Sequence, residues 1–368
     1  MATAASGQVQ VRVATWNIEN FDGADMAQFN AARDVLLRIN ADVVCVQEMD
    51  SLTAFNNLAA AAGYPFRVLA SAAGDIDTNP DWSGVMSKYA LIDPVTLTSV
   101  GLSGDPEAND LTRNFIRASV LVPGAANPLT IAGNHWKASN ENTDEFRRSI
   151  ESMRAMQTVA AFNSLLSPFF VVGDMNDDIT EPPDSPAIFS APPSGLPGSF
   201  ALGSDIALPI LNSAFFPLQN ASGTANLNVI NALQKDGSDV TFPASMRRLD
   251  YIWRSDANTL MGSQVYDSAD EGLPGGLPLF GAPLPAGTSA IASDHLPVFA
   301  DLRITASGLP ADFNGNGLVS LAEYTAFRPC LAGPQSAPEL ACEPADLEGD
   351  GDVDLRDAGI LFDTYTGP

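Results

Sequence analysis

The chain has 368 residues, of which 44 are acidic and 18 basic, and its formal net charge is -26. Hydrophobic residues make up 45% of the chain, which is enough for one large domain with a sizeable core and a small second domain. No apolar run approaches the ~20 residues that a membrane-spanning helix needs, so a soluble protein is predicted. The acidic balance argues against broad, non-specific binding to nucleic acid, because such binding depends on Lys and Arg.

Strand-like apolar runs alternate with helical stripes along most of the chain, which predicts an α/β domain. Two stretches, 178–241 and 272–287, are rich in Pro and Gly and are predicted to be loops, either lining a site or running over the surface. Strands are predicted at Val9–Ala14, Val43–Val46, Leu129–Ala132, Phe169–Val172 and Pro297–Ile304, and helices at Met26–Ile39 and Glu145–Leu166.

Six short polar motifs punctuate this pattern, and most of them directly follow an apolar run. The chain has only two histidines, His135 and His295, and each lies in one of these motifs. Strands fix positions while the loops after them carry chemistry, so the motifs predict a catalytic site at the strand ends. In chain order they are Thr15–Asn20, Gln47–Glu48, Gly133–Lys137, Gly173–Asp177, Arg248–Tyr251 and Ser293–Pro297.

This ordered set resembles the endonuclease/exonuclease/phosphatase superfamily, which includes deoxyribonuclease I-like nucleases, sphingomyelinases and inositol-polyphosphate phosphatases. The resemblance implies that residues 1–305 form a four-layer α/β/β/α sandwich that hydrolyses phosphoesters. His135 matches the deoxyribonuclease I-like and sphingomyelinase-like branches. Abasic-site endonucleases have a tyrosine at that position, so their branch is disfavoured.

Phosphoester hydrolysis needs an activated water, neutralisation of the phosphoryl oxygens and protonation of the leaving oxygen. The resemblance implies a Mg²⁺ or Mn²⁺ ion held by Asn17, Glu48 and Asp294. Carboxylate and amide oxygens are the ligands that Mg²⁺ prefers. Glu19 matches an acidic position of some family members, and a solvated strand end explains it equally well.

The remaining catalytic roles also follow from the resemblance. His295 is expected to pair with Asp250 and to take a proton from water, because a carboxylate partner fixes the histidine tautomer. His135 is expected to protonate the leaving group or to stabilise charge on the phosphate. Asp174 and Asn176 are expected to orient the nucleophile and bind the phosphoryl group.

Basic residues cluster near the motifs, which predicts a locally basic cleft on an acidic body. Arg113 is a candidate for holding a flanking phosphate through a bidentate contact, and a plain surface role is the alternative. The other members of the cluster are Arg117, Lys137, Arg147, Arg148, Arg154, Arg247 and Arg248.

The favoured function is a metal-dependent phosphodiesterase, namely a secreted nuclease with little sequence preference. The alternative is a phosphodiesterase or phosphatase acting on a lipid headgroup or small phosphoester, which the acidic balance favours. A third interpretation, from a different class, is a catalytically inactive protein for calcium-dependent attachment.

A linker at residues 306–310 precedes a C-terminal segment, residues 311–368, with two twelve-residue loops. Each loop has oxygen-bearing side chains at regular positions and glycine at position 6, which predicts calcium binding. The pair resembles dockerin-like EF-hand modules, implying a small all-α domain with a cohesin-like or cell-surface partner. The predicted ligands are Asp312, Asn314, Asn316, Leu318, Ser320 and Glu323 in the first loop, and Asp346, Glu348, Asp350, Asp352, Asp354 and Asp357 in the second.

The three cysteines divide between the two parts of the chain. Cys45 lies in a predicted strand, where a free thiol behaves as a small hydrophobic group. Cys330 and Cys342 flank the region between the calcium loops, and a disulfide there would imply an oxidising compartment; free thiols are the open alternative. The first seven residues contain no signal peptide but are small, as residues after a cleaved leader often are. We therefore expect an extracellular protein.

Overall fold

The structure is a computed structural model that describes residues 8–70, 81–139, 141–178, 227–306, 311–313, 318–334, 342, 345–348 and 350–366. The strands in these residues are β1 (Gln8–Phe21), β2 (Val43–Met49), β3 (Phe66–Leu69), β4 (Trp82–Ser87), β5 (Leu91–Leu97), β6 (Phe115–Val120), β7 (Leu129–His135), β8 (Phe169–Asp174), β9 (Asn228–Val229), β10 (Asp250–Arg254), β11 (Asn258–Val265) and β12 (Val298–Thr305). The helices are α1 (Met26–Ile39), α2 (Leu52–Ala61), α3 (Ser99–Ser103), α4 (Asn142–Val159), α5 (Thr288–Ala292), α6 (Leu321–Phe327) and α7 (Leu355–Asp363), with 3-10 turns at Ser268–Asp270 and Arg328–Cys330.

The strands form two six-stranded sheets, each with a parallel pair at its centre. The first sheet has the order β11-β12-β1-β2-β4-β3, and the second has the order β5-β6-β7-β8-β10-β9. The pairs β1·β2 and β7·β8 are parallel, whereas β2·β4, β6·β7 and β8·β10 are antiparallel. Parallel neighbours end at the same edge of a sheet, so each central pair brings two polar motifs together.

Each sheet carries helices on its outer face. Val35 of α1 and Phe55 of α2 pack with Trp16 of the first sheet in one buried core. Met153 of α4 packs with Phe169 of the second sheet in another. The result is the α/β/β/α layering that the resemblance implied.

The inner faces of the two sheets approach closely at Gly133 on β7. A Cβ atom placed there would collide with the Sγ atom of Cys45 on β2 and would lie 2.9 Å from the Cγ2 atom of Ile116. Cys45 is fully buried, as predicted, and accepts a hydrogen bond from Nε2 of Gln47 at 3.3 Å. Glycine at position 133 therefore sets how near the sheets come.

The bounds of the predicted helices can be compared with the structure directly. The prediction for α1 is confirmed, because Asp25 caps its start and Asn40 ends it in the left-handed region at φ 53°. The prediction for α4 is wrong at its C-terminal end, since the helix stops at Val159 and not at 166. Beyond the end of the helix, the side chain of Asn163 accepts from Leu165 N at 3.0 Å, which favours a turn there.

The Pro/Gly-rich stretch at 272–287 packs beside the C-terminal end of α1. Arg38 donates from Nη1 to the carbonyl oxygens of Phe280 and Gly281 at 2.9 and 2.7 Å. This is the end of α1 that leads into the start of β2, so residues 280–281 are remote from the strand ends that carry the motifs. Most of the other stretch, at 179–226, lies outside the described residues.

The chain divides into two compact units, the larger comprising residues 10–121 and 129–303 and the smaller including residues 304–368. In the smaller unit, Cys330 and Cys342 form a disulfide with a Cα–Cα distance of 5.3 Å. Val319, Phe327, Val353 and Leu361 belong to a small buried core of this unit. None of the helices within the described residues combines the length and apolar character that a membrane crossing requires.

Candidate active site

The hydrogen-bond register of the second sheet places three predicted catalytic residues in one row. His135 ends β7 and pairs with Asp174 at the end of β8, and Asp174 in turn pairs with Asp250 at the start of β10. Gly173, just before Asp174, has φ 142°, and a Cβ atom there would collide with the backbone oxygen of Asn134. Glycine therefore allows β7 and β8 to remain paired up to their polar ends.

His295 completes this row from a loop before β12. Its Nδ1 atom lies 2.8 Å from Oδ2 of Asp250, and its Nε2 atom lies 3.8 Å from Oδ2 of Asp174. Asp250 is fully buried and His295 is 6% exposed. The predicted pairing of His295 with Asp250 is thus present in the structure, with Nε2 facing the centre of the site.

Four side chains to which the sequence analysis assigned no role hold this pair, and two of them, Trp16 and Ser293, lie within the polar motifs. The hydroxyl of Thr241 accepts from the backbone N–H groups of Leu249 and Asp250 at 2.9 and 3.0 Å. The hydroxyl of Ser293 accepts from His295 N at 3.0 Å and donates to Asn17 O at 2.7 Å. Trp16 donates from Nε1 to His295 O at 2.9 Å, and the Phe242 ring lies 4.7 Å from the His295 ring. The local sequence around Thr241 gives no signal of this role, since the contacts are with backbone groups eight and nine residues away.

Glu48 faces the row from the first sheet because its strand is irregular. The register of β2 shifts against both neighbours, between Asn17 and Phe21 on β1 and between Val46 and Met49 on β2. Glu48 itself has φ 59°, a left-handed conformation that is rare for a residue with a side chain. Regular alternation would place Glu48 on the face of Val46, in the core beneath α1, so the irregularity brings its carboxylate to the site.

Asn17 links the two sheets. Its Nδ2 atom donates to Oε1 of Glu48 at 2.8 Å and to Oδ2 of Asp174 at 3.0 Å. Its Oδ1 atom is buried and has no hydrogen-bond partner among the described residues. An acceptor oxygen without a donor, beside a carboxylate, is the arrangement that a cation would complete.

These residues therefore fit a divalent metal ion. Ligand atoms of Glu48, His135 and Asp174 all lie within 4.8 Å of one another. Burial raises the pKa of Glu48, and the charge of Asp174 adds to that rise, so positive charge is favoured here. Asp294 has an exposed side chain, and electrostatic interactions connect it to Glu48 and Asp174.

Asp174 lies between the two histidines. Its Oδ2 atom is 3.6 Å from Nε2 of His135, and its Oδ1 atom accepts from Asn176 N at 2.9 Å. Burial raises the pKa of Asp174 to about 6, while the charge of His295 opposes the rise. Asn176 has φ 50° and donates from Nδ2 to Asp174 Oδ2 at 3.2 Å, so its amide is directed at the same carboxylate.

The two imidazoles have opposite electrostatics. Burial and the nearby charge of Arg113 lower the pKa of His135 well below its ordinary value. Burial also opposes the charged form of His295, but Asp250 and Asp174 outweigh it and raise the pKa of His295 to about 10. In the absence of a cation, neutral His135 and positively charged His295 therefore face one carboxylate across the site.

Arg113 is buried, and its guanidinium contacts other protein groups. It donates from Nη2 and Nε to Oδ2 of Asp81 at 2.9 and 3.2 Å, and from Nη1 to Trp136 O at 3.1 Å. A bidentate contact with a substrate phosphate would compete with these bonds. The structure thus places Arg113 next to the site but engaged with Asp81.

Several of the basic residues that were expected to line an open cleft are buried. Arg148, Arg154 and Arg248 have 1%, 0% and 5% of their surface exposed, and Arg154 forms an ion pair with Asp110. Lys137 remains partly exposed and lies 3.4 Å from Asp144. Four of the eight basic residues near the motifs are therefore buried, and the other four are only partly exposed.

The predicted calcium ligands are only partly described. Asn314 and Asn316 lie outside the described residues. In the second loop, ligand atoms of Glu348, Asp354 and Asp357 come within 4.8 Å of one another. Asp346 accepts from the backbone N–H groups of residues 350 and 351 at 3.1 and 2.9 Å, so its side chain closes that loop.

Comparisons with known proteins agree with the fold. A family model described as the Endonuclease/Exonuclease/phosphatase family matches residues 14–295, so the chain belongs to this family. Members of the family are phosphoesterase hydrolases, and they typically use a divalent metal. No curated protein matches the chain.

Several solved structures share the fold at low sequence identity. An endonuclease/exonuclease/phosphatase from Beutenbergia cavernae is 19% identical with a TM-score of 0.52, covering 81% of this chain and 72% of that chain. A Bacteroides vulgatus member is 16% identical with a TM-score of 0.51, covering 80% and 99%. Sphingomyelinase C from Streptomyces griseocarneus is 15% identical with a TM-score of 0.50, covering 80% and 99%. At these identities the likeness concerns the fold alone.

Proposed function

We propose that this protein is a divalent-metal-dependent phosphodiester hydrolase. The observation that carries the proposal is the row of His135, Asp174 and Asp250 across three neighbouring strands, with His295 against Asp250 and Glu48 opposite. A substrate phosphate bound at this row would face two imidazoles, one on either side of the Asp174 carboxylate. Residues at this spacing can move protons on both faces of a phosphoryl group.

Most steps of the proposed reaction can be assigned to residues of this chain. Asp250 fixes the orientation of His295. In the neutral form, which the positive charge of a bound cation would favour, Nε2 of His295 takes a proton from the attacking water. His135, which burial keeps neutral, can donate a hydrogen bond from a ring N–H and so stabilise charge on the phosphate, while the leaving oxygen takes its proton from water. Asn176 would donate to a phosphoryl oxygen in place of Trp136 O. Asn17, Glu48 and Asp294 would hold Mg²⁺ or Mn²⁺, which when bound supplies charge neutralisation at the phosphate.

The substrate class has two candidates. The acidic chain and the buried arginines favour a compact phosphodiester, such as a lipid headgroup or small phosphoester, over a long polyanion. The likeness in fold to a sphingomyelinase C is compatible with this candidate. A nuclease with little sequence preference is the second candidate, and Lys137, partly exposed next to the His135 motif, is the residue that favours it.

One assay tests both the reaction and the substrate. Purified protein is incubated with plasmid DNA, RNA, sphingomyelin vesicles and bis-p-nitrophenyl phosphate, each with Mg²⁺, Mn²⁺ or EDTA. We expect hydrolysis of at least one substrate with either metal and none with EDTA. Hydrolysis that is unchanged in EDTA, or no hydrolysis of any phosphoester, would contradict the proposal.

We further propose that residues 311–368 bind calcium as a dockerin-like pair and attach a secreted enzyme to a cohesin-like or cell-surface partner. Supporting this are the acidic groups of the second loop and the disulfide, which suits an oxidising compartment. In both loops the residue at position 12, Glu323 or Asp357, closes a capping box with the residue at position 9. Each loop thus leads directly into a helix, as in an EF-hand.

A further inference from the structure

Glu151 on α4 is a fully buried carboxylate to which the proposed mechanism gives no role. Its Oε1 atom accepts from the backbone N–H of Thr112 at 2.7 Å, and its Oε2 atom accepts from the backbone N–H of Lys137 at 2.7 Å. The two donors belong to different loops, before β6 and after β7. One carboxylate therefore joins the two loops that flank the site.

The contact with Lys137 holds a peptide unit that other site residues use. The N–H of that unit belongs to Lys137 and its carbonyl to Trp136, the residue that follows His135. The same carbonyl oxygen accepts from Nη1 of Arg113 at 3.1 Å and from Nδ2 of Asn176 at 3.1 Å. A carboxylate acceptor on the N–H polarises the peptide and strengthens both bonds to its oxygen.

The contact with Thr112 acts on the same cluster from the other side. Thr112 directly precedes Arg113, whose guanidinium holds Asp81 and the Trp136 carbonyl. Glu151 thus fixes both the backbone from which Arg113 extends and the peptide that Arg113 binds. Arg148, one turn earlier on α4, donates to Lys137 O and Ser139 O at 3.1 and 2.6 Å, so the helix holds the second loop at several points.

Burying a carboxylate costs free energy unless hydrogen bonds compensate for its lost hydration. Burial raises the pKa of Glu151, and the hydrogen bonds from Thr112 and Lys137 oppose that rise. An apolar residue would avoid the desolvation penalty but would leave two buried N–H groups without acceptors. The position is therefore matched to a group with two acceptor oxygens.

We propose that Glu151 is a positioning residue of the active site, which through Thr112 and the Trp136–Lys137 peptide sets the placement of His135 and Asn176. The inference rests on the proposed function for its kinetic test only. Glu151 does not itself reach His135, Asp174 or Glu48, so it is not a catalytic residue.

The kinetic test is Glu151→Gln, which keeps the shape but offers only one acceptor oxygen. Its NH₂ group must then face a backbone N–H, and one loop loses its anchor. We expect kcat for bis-p-nitrophenyl phosphate at saturating Mg²⁺ to fall ~10²-fold, as a misplacement of about 1 Å can cause, while KM changes by less than about 3-fold.

The matched control is Glu271→Gln. Glu271 is also a buried carboxylate, with a side chain that is 6% exposed, and it pairs with Arg38 at 2.6 Å, far from the row of site residues. Both variants should lose thermal stability to a similar degree. Only Glu151→Gln should have a lower kcat at a temperature where each protein is fully folded.

A spectroscopic readout separates positioning from general loss of stability. Because the chain has two histidines, proton–nitrogen spectra contain only two imidazole systems, which can be assigned with His135→Ala and His295→Ala. Glu151→Gln should shift the His135 signals and leave those of His295 unchanged, and Glu271→Gln should shift neither. This result holds whether or not any substrate is hydrolysed, so it stands apart from the proposed function.

One result of these experiments would overturn the proposal, and a second variant covers the case in which the first does not fold. A folded Glu151→Gln protein with unshifted His135 signals and kcat within about 3-fold of the wild type would overturn the proposal. If that variant does not fold, Glu151→Asp serves instead, since it keeps the charge but is too short by one methylene to reach both amides. The same shift of His135, without a shift of His295, is expected from it.

Discussion

Glu48 combines a strained backbone, partial burial and a carboxylate whose protonation is favoured by its surroundings. Residues of this kind are retained for chemistry at a cost in stability. We therefore expect Glu48→Gln to lower kcat by about 10²-fold or more at saturating Mg²⁺, because metal binding contributes several kcal/mol to the transition state. The thermal unfolding temperature should stay the same or rise.

Glu19, on the same rim but with an exposed side chain, gives the control for this substitution. Glu19→Gln should change kcat by less than about 3-fold, since the described contacts of this residue involve its backbone carbonyl, which accepts from Gln28 at 2.7 Å. A Glu48→Gln enzyme as active as Glu19→Gln would remove Glu48 from the site. A strong effect of Glu19→Gln would instead add that residue to it.

The charge of His295 provides a second test at this scale. Its pKa of about 10 in the folded protein lies above the ordinary value of 6.5, because Asp250 and Asp174 stabilise the imidazolium. This stabilisation is fully present below pH 6.5 and is lost as the pH rises through about 10. In a nuclear magnetic resonance titration with EDTA, His295 should stay protonated at pH 8 while His135 is neutral.

Asp250→Asn should move the His295 titration down towards 6.5, since the closest negative charge is removed. Its effect on kcat should resemble that of His295→Ala, a loss of ~10²–10⁴-fold, because the tautomer is no longer fixed. Titration of His295 near 6.5 in the unsubstituted metal-free protein would contradict the assigned pairing.

The residues that could be predicted from the sequence are those that lie in the polar motifs. Asn17, Glu48, His135, Asp174, Asn176, Asp250 and His295 all come together at the ends of the central strands. Thr241 and Glu151 could not be predicted, because each binds backbone N–H groups outside its own sequence motif, 8 residues away for Thr241 and up to 39 for Glu151. The left-handed conformation of Glu48 could not be predicted from the sequence either, since it results from how β2 pairs with both neighbouring strands.

At the scale of elements, apolar runs predicted the centres of strands but not their ends. β7 and β8 continue through His135 and Asp174, because the backbone of a polar residue pairs as well as that of an apolar one. α4 ends earlier than its apolar stripe suggested, and Leu165 and Leu166 beyond it are exposed. Periodicity reports which face is buried, whereas ends depend on caps and partners.

The close approach of the sheets at Gly133 gives a prediction for these elements. Gly133→Ala should destabilise the protein by about 1–3 kcal/mol, because the added methyl group collides with Cys45 and crowds Ile116. Cys45→Ala should relieve part of this cost, so the double variant should be more stable than the sum of the two single changes indicates. Chemical denaturation of the four proteins measures the coupling, and strictly additive effects would show that the sheets can separate freely.

At the scale of the whole molecule, the net charge of -26 should govern the response to salt. An acidic protein repels a polyanion, and added salt screens that repulsion. We expect kcat/KM on plasmid DNA to rise as NaCl increases from low to physiological concentration, and kcat/KM on bis-p-nitrophenyl phosphate to change little. A steep fall on DNA would instead indicate a local basic surface and favour the nuclease.

Calcium should act on residues 311–368 and not on hydrolysis. The acids of the second loop, among them Glu348, Asp354 and Asp357, repel one another without a cation, so calcium should raise the unfolding temperature of this segment. A protein truncated after residue 307 should keep Mg²⁺-dependent hydrolysis of a soluble substrate. Calorimetry of the full chain that detects no calcium uptake would rule out the EF-hand interpretation.

The row of His135, Asp174 and Asp250 depends on the alignment of three strands. The site therefore cannot form before all three strands are paired in register. A slip of one residue between β7 and β8 would turn Asp174 to the opposite face and separate the two histidines from their shared carboxylate. No local rearrangement of a loop can restore it. Turnover is therefore an indicator of whether the centre of the second sheet has formed, and during refolding it should return in step with the slowest pairing of β8 and never before it.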